Sequence, residues 1–317
     1  MKTLISFFLL MACFTSSVTA SKRPDATVVE TAIVLETKTG KIYGTLTAPQ
    51  HAANIPVALI IAGSGPTDRD GNNTMMHNNS LKKLAFDLSK AGIAALRYDK
   101  RGIAESMNAG ASEADLRFDN YVTDAEEWIQ LLKNDKRFSR VIVIGHSEGS
   151  LIGMIAGRTA DKFVSIAGAG ESADKLIKRQ LGNQPQRVQE MCASILDSLK
   201  HGDQVTNVMP MLYNMFRPSV QPYMISWFKY DPQIEIAKLT IPVLIVQGTN
   251  DLQVTVDDAQ KLSAAYPKAQ VKLIEKMNHV FKIVEGDKKA NIAAYNNESL
   301  PNAPLLIKTI AAFIKAK

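Results

Sequence analysis

Short apolar runs bounded by glycine, asparagine and charged residues alternate along this chain with longer segments of mixed polarity. Val57-Ala58-Leu59-Ile60-Ile61 is continuously apolar, the pattern of a strand buried on both faces. Ile93 to Arg97, Val141 to Ile144, Phe163 to Ala167, Val243 to Gln247 and Val271 to Glu275 read the same way. Between them lie predicted helices over Leu81 to Ala91, Asn120 to Asn134, Glu148 to Arg158, Asp257 to Tyr266 and Ala303 to Ile314. Ser80 stands where a helix cap is expected and Gly92 where a helix ends. Val28 to Glu36 and Lys41 to Thr47, joined through Lys38-Thr39-Gly40, predict a hairpin ahead of the alternation. Strand–helix alternation of this kind predicts an α/β fold with a mostly parallel central sheet flanked by helices.

The alternation breaks after Gly170. From Glu171 to Lys238 the pattern is helical and carries Pro185, Pro210, Pro218, Pro222 and Pro232. Met191, Met209, Met211, Met215, Phe216, Met224, Trp227 and Phe228 concentrate there. The segment therefore reads as a helical lid inserted after the sixth strand of one domain spanning Ser21 to Lys317. Its methionines and aromatics are candidates to shape an apolar acyl pocket, or simply to pack the lid onto the sheet.

Met1 to Ala20 departs from the rest. Lys2 precedes the short apolar run Leu4 to Phe14, and Val18-Thr19-Ala20 ends in a small residue. This is the pattern of a cleaved secretory signal, too short to span a bilayer, and it predicts export to a periplasm or the medium. A buried first helix and a lipid anchor at Cys13 are the competing readings. Cleavage near Ala20 leaves Cys192 as the single thiol, which excludes an internal disulfide, and its apolar helical setting predicts a buried side chain. The composition, 46% hydrophobic and 21% charged, excludes a disordered or polytopic membrane chain. The net charge of +6 comes without a basic run, which argues against a nucleic-acid partner.

Gly145-His146-Ser147-Glu148-Gly149 fits G-x-S-x-G between a predicted strand and a predicted helix. That context makes a nucleophile elbow, a sharp turn that lifts a serine hydroxyl above the sheet. A serine needs a base, and the base needs an orienting carboxylate. On this topology they follow in the order Ser, acid, His. Only His201 and His279 follow Ser147. His279 succeeds the strand Val271 to Glu275, whereas His201 falls in the insertion, so His279 is the base. The strand Val243 to Gln247 runs through Gly248-Thr249-Asn250 into Asp251, the acid; Asp257 and Asp258 read as helix N-terminal residues. The oxyanion donors are then the backbone N–H of Glu148 and that of Ser64, in the glycine-rich Ala62-Gly63-Ser64-Gly65-Pro66 after an earlier strand.

With these motifs in hand, the chain resembles the α/β-hydrolase superfamily, and most of all bacterial esterases of its serine aminopeptidase-like or dienelactone-hydrolase-like branch. The resemblance rests on residues 63–72, Arg97-Tyr98-Asp99-Lys100-Arg101-Gly102, the elbow, Gly248-Thr249-Asn250-Asp251 and Asn278-His279. It implies an α/β-hydrolase fold, the triad Ser147, Asp251 and His279, and the donors Ser64 and Glu148; the expected activity is hydrolysis of a small-molecule carboxylic ester of a small or medium acyl group through a covalent acyl-serine intermediate. Two positions depart from the pattern: Ala62-Gly63 stands for His-Gly, and Gly102-Ile103-Ala104-Glu105-Ser106 for G-x-G-x-S. Asp99 and Arg101 are expected to pair structurally. The same triad cleaves amides and thioesters. An aminopeptidase would need an acid for the substrate amine, with Glu171 and Asp174 as candidates. A ligand binder on a hydrolase scaffold and a carrier using the basic surface are rivals of another class.

Asp68, Asp70 and Asn72 suggest calcium, but Asn73 and Asn79 occupy the positions where an EF-hand needs Gly and Glu. The chain contains no phosphate-binding glycine motif, CxxC or H-E-x-x-H, so the expectation is no cofactor and no metal. Asn72, Asn78 and Asn297 open glycosylation patterns that matter only in a eukaryotic secretory route.

Overall fold

The computed structural model describes residues 27–110 and 112–316. The signal expected at Met1 to Ala20 and the competing anchor at Cys13 lie outside the described residues. Strands β1 (Val28–Thr37) and β2 (Gly40–Pro49) form the expected antiparallel hairpin. The chain continues through β3 (Ile55–Ile61), α1 (Ser80–Lys90), β4 (Ala94–Tyr98), α2 (Phe118–Asn134), β5 (Phe138–His146), α3 (Glu148–Ala156) and β6 (Lys162–Ile166). Five helices follow: α4 (Ala173–Gln180), α5 (Gln186–His201), α6 (Tyr213–Phe216), α7 (Gln221–Trp227) and α8 (Pro232–Ala237). Then come β7 (Val243–Gly248), α9 (Val256–Ala265), β8 (Gln270–Ile274), α10 (Lys288–Ala294) and α11 (Pro304–Lys315).

The strands make one eight-stranded sheet in the order β1-β2-β4-β3-β5-β6-β7-β8, parallel from β4 to β8. Its central strands are buried along almost their whole length, which explains their unbroken apolar runs. One core face collects Leu59, Leu96, Trp128, Val143 and Phe163 under α2 and α3; the other collects Ile60, Leu84, Ile144, Val246 and Ile310 under α1 and α11. Strand order reverses at β3, with β4 on one side and β5 on the other. Open α/β sheets bind ligands in the crevice at such a switch point, beyond the C-terminal strand ends. The loops leaving β3 and β5 there are the glycine loop and the Ser147 elbow. The chain thus has the α/β-hydrolase architecture, with a helical segment inserted after the sixth strand.

Three local expectations need correction. Ser80 is the first helical residue and not a cap; Asn79 holds that place at φ 52°, and the Ser80 amide donates to Asn78 Oδ1 at 3.0 Å. Asp99 and Arg101 do not pair: Arg69 reaches Asp99 at 2.6 Å, while Arg101 Nε donates to Asp124 at 3.0 Å. A one-turn-and-more helix, α10, appears where polar residues gave no apolar period. Cys192 is buried in α5 as expected. No helix among the described residues is long and apolar enough to cross a membrane.

Candidate active site

Ser147 joins β5 to α3 at φ 54° and ψ −119°. An L-residue adopts that conformation only when its surroundings enforce it. Two glycines do so by letting backbone pass where a side chain could not. A Cβ on Gly145 would stand 2.2 Å from the Gly149 carbonyl oxygen, and one on Gly149 would stand 2.3 Å from that of Ile61. Gly149→Ala therefore has to push apart β3 and α3; it is expected to cost about 3 kcal/mol in a denaturant titration, the upper range for overpacking.

The loop after β3 brings Ser64 to the same place. Gly63 lies against Ser147, since a Cβ there would be 3.2 Å from Ser147 Cβ. The backbone N–H groups of Ser64 and Glu148 have no partner among the described residues. Glu148 opens α3, so its N–H is one of the orphan donors at a helix start. The aspartates of this loop are spent on its own structure. Asp68 Oδ1 accepts the Asp70 and Asn72 amides, each at 2.9 Å, and Asp70 takes Arg97 Nε at 2.9 Å. No cluster of three metal-ligating side chains occurs among the described residues.

Asp251 and His279 arrive from the loops after β7 and β8. Asp251 Oδ1 accepts the amides of Gln253 and Val254 at 2.8 and 3.0 Å, and Oδ2 accepts His279 Nδ1–H at 2.8 Å. Burial alone would raise the Asp251 carboxyl; the adjacent imidazole, its hydrogen bond and the two amides outweigh it and hold the group below the ordinary carboxylate value. With Nδ1 as the donor, Nε2 of His279 is left with its lone pair, the state a general base needs. Ser147, His279, Ser64, Gly63 and His146 line one cavity of about 50 Å³. His201, the other histidine after Ser147, is exposed at the end of α5.

A family model described as serine aminopeptidase, S33, matches residues 74–236, just over half of the chain. The chain belongs to this family. The matched span holds Ser147 and the inserted helices but neither Ser64, Asp251 nor His279. Esterase EstD of Thermotoga maritima is 28% identical over 267 residues, covering 80% of this chain; the chain spans 60% of that relative's length. Est1E from Butyrivibrio proteoclasticus, solved with ferulic acid bound, superposes with a TM-score of 0.61 at 16% identity, covering 90% of this chain and all of its own. The α/β hydrolase GrgF from Penicillium sp. sh18 gives 0.60 at 15%, covering 90% and 98%. At such identities the two structures speak for the fold alone.

Within this family frame, the inserted helices follow the packing reading of their methionines and aromatics and not the pocket reading. Phe216, Met224 and Phe228 are buried in the core, and Met209, Met211 and Met215 face outward. None lines the cavity, whose apolar contributors are Met76 and Val280. Glu171 is held by Arg179 at 2.9 Å and Asp174 by Lys200 at 3.2 Å, and neither lines the cavity.

Several neighbours of the site carried no signal in the sequence. His146 donates from Nε2 to the His279 carbonyl at 3.0 Å, because a carbonyl can only accept. Asn278 Oδ1 accepts the Val280 and Lys282 amides at 3.1 and 2.9 Å. Asn291 of α10 joins the two loops, accepting from Asn278 at 3.1 Å and donating to the Asn250 carbonyl at 2.6 Å. His146 and Asn278 fall inside sequence motifs without a role being assigned to them there, and Asn291 falls in none.

Burial, reinforced by the neighbouring His279, pushes His146 down to about 3. The unfolded chain binds that proton near 6.5 and the folded chain does not until about 3, so stability is full above 6.5 and is lost as pH falls through this window. His146→Asn is expected to flatten the stability–pH curve between those values by about 1.4 kcal/mol per pH unit. Urea titrations of both proteins at a series of pH values measure the difference.

Proposed function

We propose that the protein hydrolyses carboxylic esters of short acyl groups through a covalent acyl-serine intermediate. The observation that carries this reading is that His279, bonded to Asp251 at 2.8 Å, lines the same cavity as Ser147 at its strained elbow. Ser147 Oγ attacks the acyl carbon while His279 Nε2 takes its proton. Asp251 keeps the imidazole in the right tautomer and stabilises its charged form. The N–H groups of Ser64 and Glu148 receive the oxyanion. His279 then protonates the leaving alcohol and activates the water that releases the acid. The printed name of the Thermotoga maritima relative, an esterase, points the same way.

The cavity favours small acyl groups. At about 50 Å³ it is far below the ~300–1,000 Å³ that encloses a drug-sized ligand. Its lining also disfavours the aminopeptidase reading: Gly63, Ser64, Thr67, Met76, Gln253 and Val280 offer no carboxylate for a substrate amine. Glu171 and Asp174 are already neutralised by basic partners. A thioester differs from an ester only in its leaving group and stays compatible with this site. Export after cleavage near Ala20 belongs to the same proposal and rests on the sequence alone.

The test is hydrolysis of p-nitrophenyl esters from acetyl to dodecanoyl. The expected kcat/KM is highest for acetyl and falls at least about tenfold beyond butyryl, because each extra methylene left unburied or overpacked forfeits on the order of 1 kcal/mol. A maximum at octanoyl or longer would overturn the short-acyl assignment. Inactivity on every ester, by a protein that melts cooperatively, would overturn the esterase reading.

A further inference from the structure

Directly behind the nucleophile elbow lies a buried ion pair that the triad does not use. Lys100, two residues past β4, sends its ammonium to Glu148 Oε2 at 2.6 Å and to the Gly63 carbonyl at 2.7 Å. The same ammonium sits 4.7 Å from the centre of the Tyr121 ring. Its three protons thus have a carboxylate, a carbonyl and an aromatic face to meet. The other oxygen of Glu148 accepts the hydroxyl of Tyr223, on α7 of the insertion. The Lys100 and Glu148 side chains are only 1% and 2% exposed.

A buried ion pair is weak evidence for stability, since desolvation offsets most of the attraction. Its two ends suggest another role. The Gly63 carbonyl and the Ser64 N–H belong to one peptide unit, and every described peptide bond is trans. In a trans peptide these groups point in opposite directions. Holding the carbonyl back on Lys100 turns the Ser64 N–H the other way, towards the nucleophile that Gly63 touches. Glu148, the other end of the pair, supplies the second free N–H from its own backbone. Rotation of the Gly63–Ser64 peptide would aim a carbonyl at the oxyanion and remove a donor at once. Gly63 has no Cβ to resist such a rotation, so the restraint has to come from a partner.

We propose that Lys100 is a positioning residue: it ties the Gly63 carbonyl to the Glu148 carboxylate, fixes both oxyanion-binding N–H groups, and through Tyr223 makes their alignment depend on the inserted helices. The proposal rests on the ester-hydrolase reading of the site. It predicts damage to transition-state binding with little change in substrate binding, because the donors act on charge that develops during attack.

The experiment compares the wild type with Lys100→Met/Glu148→Gln, which removes both charges while keeping length and shape, and with Tyr223→Phe. Each is scored for its thermal melt, for kcat and KM on p-nitrophenyl acetate, and for the rate at which a fluorophosphonate probe labels Ser147. The paired variant is expected to melt cooperatively and to lose about 10²-fold in kcat, the cost of one oxyanion donor, with KM within about threefold. Labelling should slow in proportion, since the phosphonyl oxygen occupies the same hole. A folded paired variant with kcat within about twofold of wild type would reduce the pair to a structural role. If that variant fails to fold, Tyr223→Phe decides: a fall in kcat above about threefold at unchanged melting temperature supports the tie, and an unchanged kcat overturns it. A wild type that labels but cleaves no ester would sink the esterase reading alone, leaving the labelling rates to judge Lys100. A wild type that neither labels nor cleaves would overturn both.

Discussion

Ser147→Ala is expected to lower kcat on p-nitrophenyl acetate by about 10⁵–10⁶-fold, the scale of losing a serine nucleophile whose base and acid act with it as one unit. The fold should not change. Alanine keeps the Cβ that already fits at φ 54°, and the backbone bonds of this residue, from its N–H to the Ile166 carbonyl and from the Ser150 N–H to its own carbonyl, need no side chain. The melting temperature is therefore expected within a degree or two of wild type, as for a substitution that breaks no packing or cap. Activity of the alanine variant within tenfold of wild type would mean that the cavity acts without a covalent step, or that another site hydrolyses the ester.

The parts of the fold that could be read from sequence are those in which local pattern and burial coincide. Val57–Ile61 and Val243–Gln247 are apolar throughout because both sheet faces are covered. The elbow was legible because two glycines at fixed offsets have a steric cause that the structure puts at 2.2 and 2.3 Å. Topology predicts the order of a candidate acid and base along the chain, and the two residues so chosen, Asp251 and His279, stand 2.8 Å apart.

What was not legible depends on contacts between residues far apart in sequence. Lys100 and Arg101 look alike in a charged loop. One turns inward to meet Gly63 and Glu148; the other meets Asp124 on α2. Asp99 sits two residues from Arg101, yet bonds to Arg69, which the folded loop after β3 lays across it. Successive side chains of an extended segment point to opposite sides, which parts Lys100 from Arg101; Asp99 and Arg101 are parted because each is engaged by a different element, Arg69 of the loop after β3 and Asp124 of α2. The sequence leaves two readings open for the inserted methionines and aromatics, lining a pocket or packing onto the sheet. Composition cannot tell which face of a short helix meets the core, and here the core took Phe216, Met224 and Phe228. Asn291, which fastens the Asp251 loop to the His279 loop, comes from a helix with too few turns to show an apolar period.

Asp251→Asn is expected to cost about 10⁴-fold in kcat while leaving the melt nearly unchanged, the effect of an imidazole trapped in the wrong tautomer. The surrounding donors decide how the amide would sit. Gln253 and Val254 present N–H groups to Oδ1 at 2.8 and 3.0 Å, so the carbonyl oxygen of the new amide takes that side. Its NH₂ group is then left facing His279 Nδ1, which must become an acceptor. The ring proton moves to Nε2, and the nitrogen that should take a proton from Ser147 already carries one. The nearby carboxylates cannot substitute. Asp258 is occupied by Thr255, Gly170 and Arg179, and Asp257 by Lys261 at 2.8 Å. Asp257→Asn should accordingly leave kcat within about twofold, as for an ordinary surface substitution. The pair of variants, assayed on p-nitrophenyl acetate across pH 5 to 9, separates the two carboxylates: equal losses in both would move the acid away from Asp251, and a loss confined to Asp251→Asn would fix it there.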